Sequence, residues 1–407
     1  MKVIDVRVEP DGDRVRVAAH IEGTPVQPYL AFPRAMESFV SGTADAFLPA
    51  LLVPCVERGE PLEIIPPVSP QLACRIPCIL DTLLALFPNF HRVEVKLRAR
   101  GERQIPSGSS VAALFSGGVD SFYTLLKALS PESDPTYRPT HLLFMRGLEQ
   151  RLDESAGADD TLRVVDEVAR ATGVGVLWGE TNLRMLFGLN YELYYHAAAL
   201  VGSAIALSRG VKCLLVPSTY SYGQLIPWGS HPILDELWST ETMQVIHHGA
   251  EARRVDKIAC LAQRYPLALR RLRVCLKNHA GPGNCGNCQK CARTMMALEI
   301  VGVLGSVPTF PQVSRRSLER SLLADSPIFV EELRDFARRT GRSETLQFLD
   351  RVVRKQKRHY AAKALMESTP VLANIMPRIS HLRRRLRGQP VKLQNPEFLG
   401  QVQMRLS

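Results

Sequence analysis

An apolar run that ends at two adjacent glycines and continues into a helical segment is the feature that most constrains the fold of this chain. Residues 111–115 are apolar, and a helical segment is predicted at 122–129. Paired glycines let the backbone approach an anion without an intervening Cβ, and the N–H groups that open a helix face that anion. The pattern predicts a phosphate-binding loop, whose six residues are Ser116, Gly117, Gly118, Val119, Asp120 and Ser121.

The composition of this loop narrows its chemistry. The hydroxyls of Ser116 and Ser121 add hydrogen-bond donors, whereas Asp120 would repel a bare phosphate and so indicates a bridging Mg²⁺ ion. No Gly-Lys-Ser/Thr sequence follows the glycines, which excludes a Walker A loop.

The fold class follows from the rhythm of apolar runs along the chain. Runs at 111–115, 140–145, 174–178 and 212–216 alternate with helical segments, which predicts an α/β domain with a parallel sheet over residues 110–304. Alternating apolar residues around an Asp-Gly turn predict that residues 1–105 form a small α+β domain that begins with a hairpin. Apolar residues at helical spacing predict a basic helical region over residues 305–407.

Two groups of cysteines need separate interpretations. Cys74 and Cys78 are spaced as on one face of a helix, and we expect core packing for them rather than metal binding. Four others fall within 17 residues with the spacing C-x9-C-x2-C-x2-C: Cys275, Cys285, Cys288 and Cys291. Four thiolates close a tetrahedral site, so they predict a structural Zn²⁺ ion, with an iron–sulfur cluster as the alternative.

The excess positive charge lies at one end of the chain. Residues 305–407 hold 20 Lys and Arg and 9 Asp and Glu, so they account for the whole net charge of +11. Basic runs at 351–358 and 378–387 predict either a solvated helix face or a surface for RNA, DNA or an acidic protein. Tyr360 is the aromatic residue near these runs, which favours contacts to a polyanion backbone over base stacking.

The loop and the cysteine cluster together resemble a known family. The loop matches the SGGxDS signature of the PP-loop ATP pyrophosphatases, and residues 284–293 are similar to the zinc knuckle of the QueC family, the 7-cyano-7-deazaguanine synthases, including Arg293. The resemblance covers about residues 111–303. It implies an adenine nucleotide alpha-hydrolase-like fold, with ATP, Mg²⁺ and Zn²⁺ as ligands.

The resemblance also implies an activity. Such an enzyme is an AMP-forming ligase that adenylates a carboxylate, here that of 7-carboxy-7-deazaguanine or a related compound. It converts the carboxylate to an amide or nitrile with ammonia and releases AMP and pyrophosphate. Asp120 and Ser121 would act in catalysis, while Arg254 or Lys257 would neutralise charge that develops on the phosphates.

The chain departs from the family in several places. It has about 105 residues before the loop and about 100 after the zinc helix, and the usual substrate stretch is missing. Aromatic residues in its place could stack a purine-like ring, and two carboxylates could accept from an amidine-like edge, or all could be structural. These candidate substrate residues are Tyr220, Tyr222, Trp228, His231, Asp235 and Glu241.

Other functions remain open at this point. The long architecture is similar to QatC and to the QueC-like proteins of type IV CBASS anti-phage systems, which suggests transfer of the activated deazaguanine to an amine of a protein partner. A tRNA-thiolating PP-loop enzyme is a further alternative that the basic C-terminal region would suit. It would need a reactive cysteine, however, and Cys213 and Cys260 are isolated. The last alternative is a non-catalytic scaffold that binds a nucleotide.

The location of the protein is predicted from absent signals. The N-terminus has no apolar signal segment, and nine cysteines are too sparse for a secreted disulfide scaffold. The longest uncharged apolar stretch, 197–207, has 11 residues, whereas a bilayer needs about 20. We therefore expect a cytoplasmic protein without membrane contact.

Overall fold

The computed structural model describes residues 1–101, 108–149, 151–152, 155–275 and 283–367. The chain forms two compact units, Met1–Gln312 and Val313–Ser407. The sequence analysis divided the same chain into three domains, with boundaries near residues 105 and 304.

The first unit is built on one sheet of ten strands in the order β10-β9-β6-β7-β8-β3-β2-β1-β4-β5. The strands are β1 (Lys2–Asp11), β2 (Arg14–Ile21), β3 (Tyr29–Pro33), β4 (Leu62–Val68), β5 (Val95–Ala99), β6 (Ser110–Leu114), β7 (His141–Arg146), β8 (Gly175–Thr181), β9 (Val211–Pro217) and β10 (Gln244–His248).

In the first unit, α-helices pack around this sheet. The described part of the second unit consists of three further α-helices. In the first unit the helices are α1 (Leu48–Arg58), α2 (Pro70–Leu86), α3 (Val119–Ala128), α4 (Ser155–Thr172), α5 (Leu183–Leu186), α6 (His196–Ile205), α7 (Pro232–Asp235), α8 (Arg254–Arg264), α9 (Pro266–Arg271) and α10 (Gln289–Val301). In the second unit they are α11 (Arg315–Leu323), α12 (Pro327–Arg339) and α13 (Ser343–Glu367).

The five strands from β10 to β8 are all parallel. All five residues of β6 are buried, as expected for a parallel strand covered on both faces. The predicted α/β class with a mostly parallel sheet is therefore confirmed. Because β6 lies between β9 and β7, the strand order reverses beside it, and such a switch point opens a crevice at the carboxyl ends of the strands.

The N-terminal strands extend this same sheet. β1 and β2 pair antiparallel through a tight turn at Gly12, whose φ of 62° is the left-handed conformation that glycine tolerates. β3 then pairs antiparallel with β8, and Asn182 at the end of β8 accepts from Tyr29 N at 3.0 Å. Residues 1–101 thus share a sheet with the parallel strands, within the unit Met1–Gln312.

Helix α2 corrects the prediction for its two cysteines. The helix begins at the Ser69 cap, whose hydroxyl accepts from Leu72 N at 3.0 Å. It buries a stripe of leucines and isoleucines. Cys74 and Cys78 lie on the opposite, exposed side of the helix, so the expectation of core packing was wrong. Spacing placed them on one face, but the larger side chains determine which face is buried.

The second unit is helical in its described part, as the sequence predicted. Phe329, Leu333 and Phe336 are buried on one side of α12, and Leu349 and Val353 are buried in α13. The first basic run lies in α13. The second run, with Arg383, Arg384 and Arg385, lies outside the described residues. Within the described ranges, no helix combines the length and hydrophobicity that a bilayer crossing requires.

Candidate functional site

A cavity of about 170 Å³ lies at the carboxyl ends of the central parallel strands. Its apolar walls come from the ends of β6, β7 and β9, and they include Leu114, Phe115, Met145 and Val216. This is the switch point of the sheet, where open α/β folds place their ligands. The predicted phosphate loop opens into this cavity, through Ser116, Gly118, Val119, Asp120 and Ser121.

The loop has the backbone conformation that an anion site needs. Gly117 has a φ of 78°, and its carbonyl accepts from Arg273 N at 2.8 Å. Gly118 caps α3, so the unpaired N–H groups of the first helical turn begin next to the cavity. The rings of Phe115 and Phe122 pack edge to face with centroids 5.0 Å apart, which ties the strand end to the helix start.

One of the predicted hydroxyl donors has another partner. Ser121 Oγ donates to the carbonyl of Gly118 at 3.0 Å, and Ser121 is 4% exposed. Its hydroxyl therefore closes the first turn of α3 in this conformation. Ser116 stands before the glycines and lines the cavity.

Asp120 forms a buried ion-pair cluster with two basic residues of α8. Its carboxylate accepts from the Arg254 guanidinium and from Lys257 Nζ, the latter at 3.3 Å. Arg254 and Lys257 are three residues apart in sequence and so share one face of α8. The sequence placed all three residues at the phosphates, and the structure brings them together beside the loop.

Burial and the ion pairs shift the pKa values of Asp120 and Lys257. Burial alone would raise the pKa of Asp120, but Arg254 and Lys257 outweigh it and hold that pKa below its ordinary value. Burial also lowers the pKa of Lys257, which donates to Ser218 O at 2.6 Å. Arg254 Nε is buried, and no hydrogen-bond partner for it is found among the described residues. An unsatisfied buried donor beside the loop fits the binding of an acceptor such as a phosphate oxygen.

Sequence reasoning missed several residues that line the cavity. The lining contains four cationic side chains and two carboxylates, namely Arg254, Arg273, Lys290, Arg293, Asp120 and Glu149. The excess of positive charge favours a polyanionic ligand. Three of the cations had a signal in the sequence, because Arg273, Lys290 and Arg293 each lie within two residues of a clustered cysteine.

The four clustered cysteines converge in space. The Sγ atoms of Cys275, Cys285, Cys288 and Cys291 all lie within 4.8 Å of one another. Those of Cys285 and Cys291 are 3.8 Å apart, which matches the separation of about 3.8 Å expected between thiolates on a tetrahedral zinc with Zn–S bonds of about 2.3 Å. The cluster is therefore compatible with a zinc knuckle.

The cluster is also preorganised for metal binding. Cys288 caps α10, and its sulfur accepts from Cys291 N at 3.4 Å. Hydrogen bonds from the Cys275 and Cys291 thiols and from this N–H hold the pKa of Cys288 well below the usual thiol range. The hydrogen bonds shared among the thiols raise the pKa of Cys275 and of Cys291, and because every zinc ligand must be a thiolate, metal binding would release their protons.

Asn284 links the cysteine cluster to the phosphate loop. Its Oδ1 accepts from Val274 N at 2.8 Å and from Cys275 N at 3.1 Å. Its Nδ2 donates to Leu272 O at 2.9 Å and to Thr309 O at 3.2 Å. The clamped segment, residues 272–275, includes Arg273, whose N–H holds the carbonyl of Gly117 and whose side chain lines the cavity. One buried amide thus supports both sites.

The six predicted substrate residues are not found among the described residues that line the cavity. Tyr220 is buried and packs edge to face on Trp228 at 5.8 Å, whereas Tyr222 is 60% exposed. His231 caps α7, where its Nδ1 accepts from Ile233 N at 3.3 Å. These contacts give the rings structural roles near the cavity.

The two predicted substrate carboxylates are also committed elsewhere. Asp235 is fully buried and accepts from Ser230 Oγ at 2.6 Å and from His247 Nδ1 at 2.7 Å. Glu241 accepts from Ser69 Oγ and from Gln71 N, both at 2.6 Å, and so binds the start of α2. Two other residues of the same stretch, Thr219 and Ser230, do line the cavity.

Comparisons of the chain with protein-family models, with curated proteins and with solved structures gave no match.

The cysteine geometry yields a first prediction. Purified protein should contain one zinc per chain, and Cys288→Ser should lose it while keeping the α10 cap, because serine also caps helices. Metal analysis by mass spectrometry measures this, with Cys74→Ser as the control on an exposed cysteine. Brown protein with charge-transfer absorbance and bound iron would contradict zinc and favour an iron–sulfur cluster.

Proposed function

We propose that this protein is a PP-loop, QueC-like enzyme that uses ATP to adenylate a carboxylate and releases pyrophosphate and AMP. The substrate class is a 7-deazaguanine carboxylate, such as 7-carboxy-7-deazaguanine, which is converted to an amide or nitrile. The observation that carries this proposal is the phosphate loop at the switch point, together with Asp120, Arg254 and Lys257 beside it.

Two features of the cavity support the proposal that it binds a nucleotide. Gly117 and the N-terminus of α3 form an anion cradle, which the basic lining reinforces. The apolar ends of β6 and β7, including Leu143 and Met145, offer a surface for an aromatic base. A triphosphate attached to an adenine ring combines both needs.

The ion-pair cluster supports a change of partners when nucleotide binds. Arg254 and Lys257 share the single carboxylate of Asp120 in the present arrangement. Phosphate oxygens would attract both cations and release the Asp120 carboxylate. Asp120 would then hold Mg²⁺, which takes one or two carboxylates and completes its coordination with phosphates and water. When bound, Mg²⁺ offsets negative charge on the phosphates; Arg254 and Lys257 orient the same groups.

The four cysteines would hold Zn²⁺ as a structural ion. All four positions of a tetrahedral site are filled by protein thiolates, so no position is open for a substrate. Cys275 also lines the cavity, so the metal centre would fix part of the cavity wall. Arg273 and Val274, clamped by Asn284, orient that wall toward the loop.

The thiolating alternative would need Cys213 or Cys260 as its reactive cysteine; Cys260 on α8 is half-buried, and the environment of Cys213 argues against that residue. Cys213 lies inside β9 and is 3% exposed, and burial raises its pKa to about 11. A buried thiol with a raised pKa is a poor nucleophile.

The test of the proposed function is product identity. Wild-type protein incubated with ATP, Mg²⁺ and 7-carboxy-7-deazaguanine should form AMP and pyrophosphate, separated by chromatography, in amounts that depend on the carboxylate. ADP and inorganic phosphate as products would contradict adenylation. Binding of ATP without any turnover in the presence of the carboxylate would support the scaffold alternative.

A second proposal concerns a macromolecular partner of the C-terminal unit. Arg351, Arg354 and Arg358 are exposed on α13 and follow helical spacing, and no ion pair holds them within the described residues. Other arginines of this unit are paired, such as Arg338 with Asp335 at 2.8 Å. The three residues form a basic stripe suited to the backbone of RNA.

The basic stripe yields a prediction. The triple change of Arg351, Arg354 and Arg358 to Ala should weaken binding to RNA and reduce the slope of log affinity against log salt by about 2, because each lost phosphate contact contributes about 0.7. Filter binding at several salt concentrations measures it, with Arg338→Ala as the control. ATP turnover on the small carboxylate should not change. Lost turnover with unaltered RNA binding would contradict this assignment. The triple change of Arg383, Arg384 and Arg385 to Ala should likewise weaken RNA binding and leave ATP turnover unchanged.

A further inference from the structure

His196 lines the same cavity as the phosphate loop, although the family resemblance gives it no role. It is the first residue of α6 and directly follows a π-helical turn, Tyr191–Tyr195. Such turns are rare and often occur at functional sites, because the extra residue redirects the side chains that follow. Here the turn delivers an imidazole to the cavity.

The hydrogen bond of one ring nitrogen fixes the tautomer of His196. Nδ1 lies 2.9 Å from the carbonyl oxygen of Glu192. A carbonyl oxygen only accepts, so Nδ1 carries the hydrogen and donates it. In the neutral ring, Nε2 is then an acceptor with a free lone pair.

The packing around the ring leaves the Nε2 edge for the cavity. A Cβ on Gly229 would lie 2.9 Å from Nδ1 and 2.8 Å from the backbone at Tyr194 and Tyr195, so Gly229 covers the Nδ1 edge closely. The Trp228 ring packs against His196 with centroids 6.0 Å apart. No hydrogen bond to Nε2 occurs within the described part of the chain. The ring edge at the cavity is therefore the one that carries the lone pair.

The surroundings keep this imidazole neutral. Burial lowers the pKa of His196, and the charge of Lys290 on α10 acts in the same direction. Asp235 of α7, the Glu192 carboxylate and the carbonyl bond to Nδ1 act in the opposite direction, but they do not outweigh burial. His196 is therefore available as a proton acceptor at neutral pH.

A second acceptor stands in the same cavity. Ser230 lines it and donates its hydroxyl hydrogen to Asp235 Oδ2 at 2.6 Å. Asp235 is held in turn by the backbone N–H of His231 at 3.1 Å. With its hydrogen committed, Ser230 Oγ offers lone pairs to the cavity. Two acceptors that line one cavity, one of them a base, suit a ligand group that bears N–H hydrogens, such as an amine.

We propose that His196 is the general base for a neutral amine nucleophile that attacks the activated carboxylate, and that Ser230 orients this amine. The proposal rests on the proposed function, because it requires an acyl adenylate. The amine nitrogen bonds to the carbonyl carbon, and the bond from that carbon to the phosphate oxygen breaks with its electron pair on AMP. One amine proton passes to His196 Nε2, so the products are an amide, AMP and a protonated imidazole.

The test separates the two half-reactions. Wild type, His196→Ala and His196→Gln are given ATP, 7-carboxy-7-deazaguanine and ammonium, and both ATP–pyrophosphate exchange and amide formation are followed from acidic to alkaline pH. The matched control is His141→Gln, because His141 also has a pKa lowered by burial and stands at the other end of β7, away from the cavity.

The expected result is selective. Exchange should stay within about threefold of wild type in both His196 variants, while amide formation falls about a hundredfold or more. Added imidazole should restore amide formation in His196→Ala but not in His196→Gln, where the side chain still fills the space. When the rate is expressed per concentration of neutral ammonia, the remaining loss of wild-type rate on the acidic side reflects protonation of His196 and should disappear in both variants.

Other outcomes would overturn the proposal. An equal fall in exchange and amide formation would make His196 a nucleotide-positioning residue. Amide formation at the wild-type rate in His196→Ala would remove it from the reaction. Wild-type exchange without any amide would show that the cavity does not admit an amine. Absence of exchange in the wild type would refute the proposed function itself, and the base role would fall with it.

Discussion

Replacement of Asp120 by Asn should reduce AMP formation by about a hundredfold or more. The variant loses the carboxylate that would bind Mg²⁺, and the same carboxylate orients Arg254 and Lys257. Affinity for ATP should fall less, since the glycines and the α3 terminus remain. Turnover measured under saturating ATP, with binding measured separately by calorimetry, distinguishes the two effects. Asp134→Asn, at an exposed carboxylate that caps a short turn, is the control.

The same substitution should change how stability depends on pH. The pKa of Asp120 is lowered in the folded protein, so its ion pairs stabilise the fold above the unfolded pKa of about 3.9 and lose that effect as pH falls through the folded value. The variant should be less stable than wild type at neutral pH by about 2 kcal/mol, because Lys257 stays buried without its partner. The gap should begin to narrow below about pH 4 and close as the pH falls through the folded pKa of Asp120.

Two results would contradict this account of Asp120. Unchanged AMP formation in a folded variant would remove the residue from the site. A stability gap that stays constant across the acidic range would show that the ion pairs do not exist in solution. Denaturant unfolding at several pH values gives this comparison directly.

Replacement of Asn284 by Ala should weaken the metal centre and the phosphate loop together. The variant removes the amide oxygen that accepts from the buried N–H of Val274 and from Cys275 N, which costs about 3 kcal/mol of unfolding free energy. It also frees the segment that holds the Gly117 carbonyl through Arg273 N. We expect about tenfold weaker binding of ATP and a lower zinc content per chain.

The control for this prediction is another buried asparagine with a similar role. Asn182 accepts from Tyr29 N and donates to Gln27 O at 2.8 Å, where β3 joins β8. Asn182→Ala should cost comparable stability but leave ATP affinity and zinc content near wild type. Removal of zinc with a chelator should weaken ATP binding to wild type and change it little in Asn284→Ala. Equal effects of zinc removal on both proteins would show that Asn284 does not connect the sites.

Local sequence was sufficient to predict the strand, glycine turn and helix of the candidate phosphate loop and the convergence of the four cysteines. A buried strand, two glycines and a helix follow one another within residues 110–128, so their geometry depends mainly on neighbours in sequence. The four cysteines lie within 17 residues, and three of them are close to the start of one helix. Their convergence therefore needs little long-range information.

The remaining features depend on contacts between distant parts of the chain. Pairing of β3 with β8 joins residues about 150 apart and merges the N-terminal strands into the main sheet, a register that alternation cannot specify. His196 reaches the cavity through a π-helical turn that no motif marks. Asp235 and Glu241 were predicted to contact the substrate, but His247 of β10 and Ser69 at the start of α2 hold them instead.

The proposed function requires that the carboxylate of the substrate attack the α-phosphate of ATP. The most direct measurement uses 7-carboxy-7-deazaguanine labelled with ¹⁸O in its carboxylate, followed by mass spectrometry of the AMP. Attack by the carboxylate and later cleavage of the bond between the carbonyl carbon and the bridging oxygen predict AMP that carries one ¹⁸O atom. Unlabelled AMP, or ADP with labelled inorganic phosphate, would contradict the account.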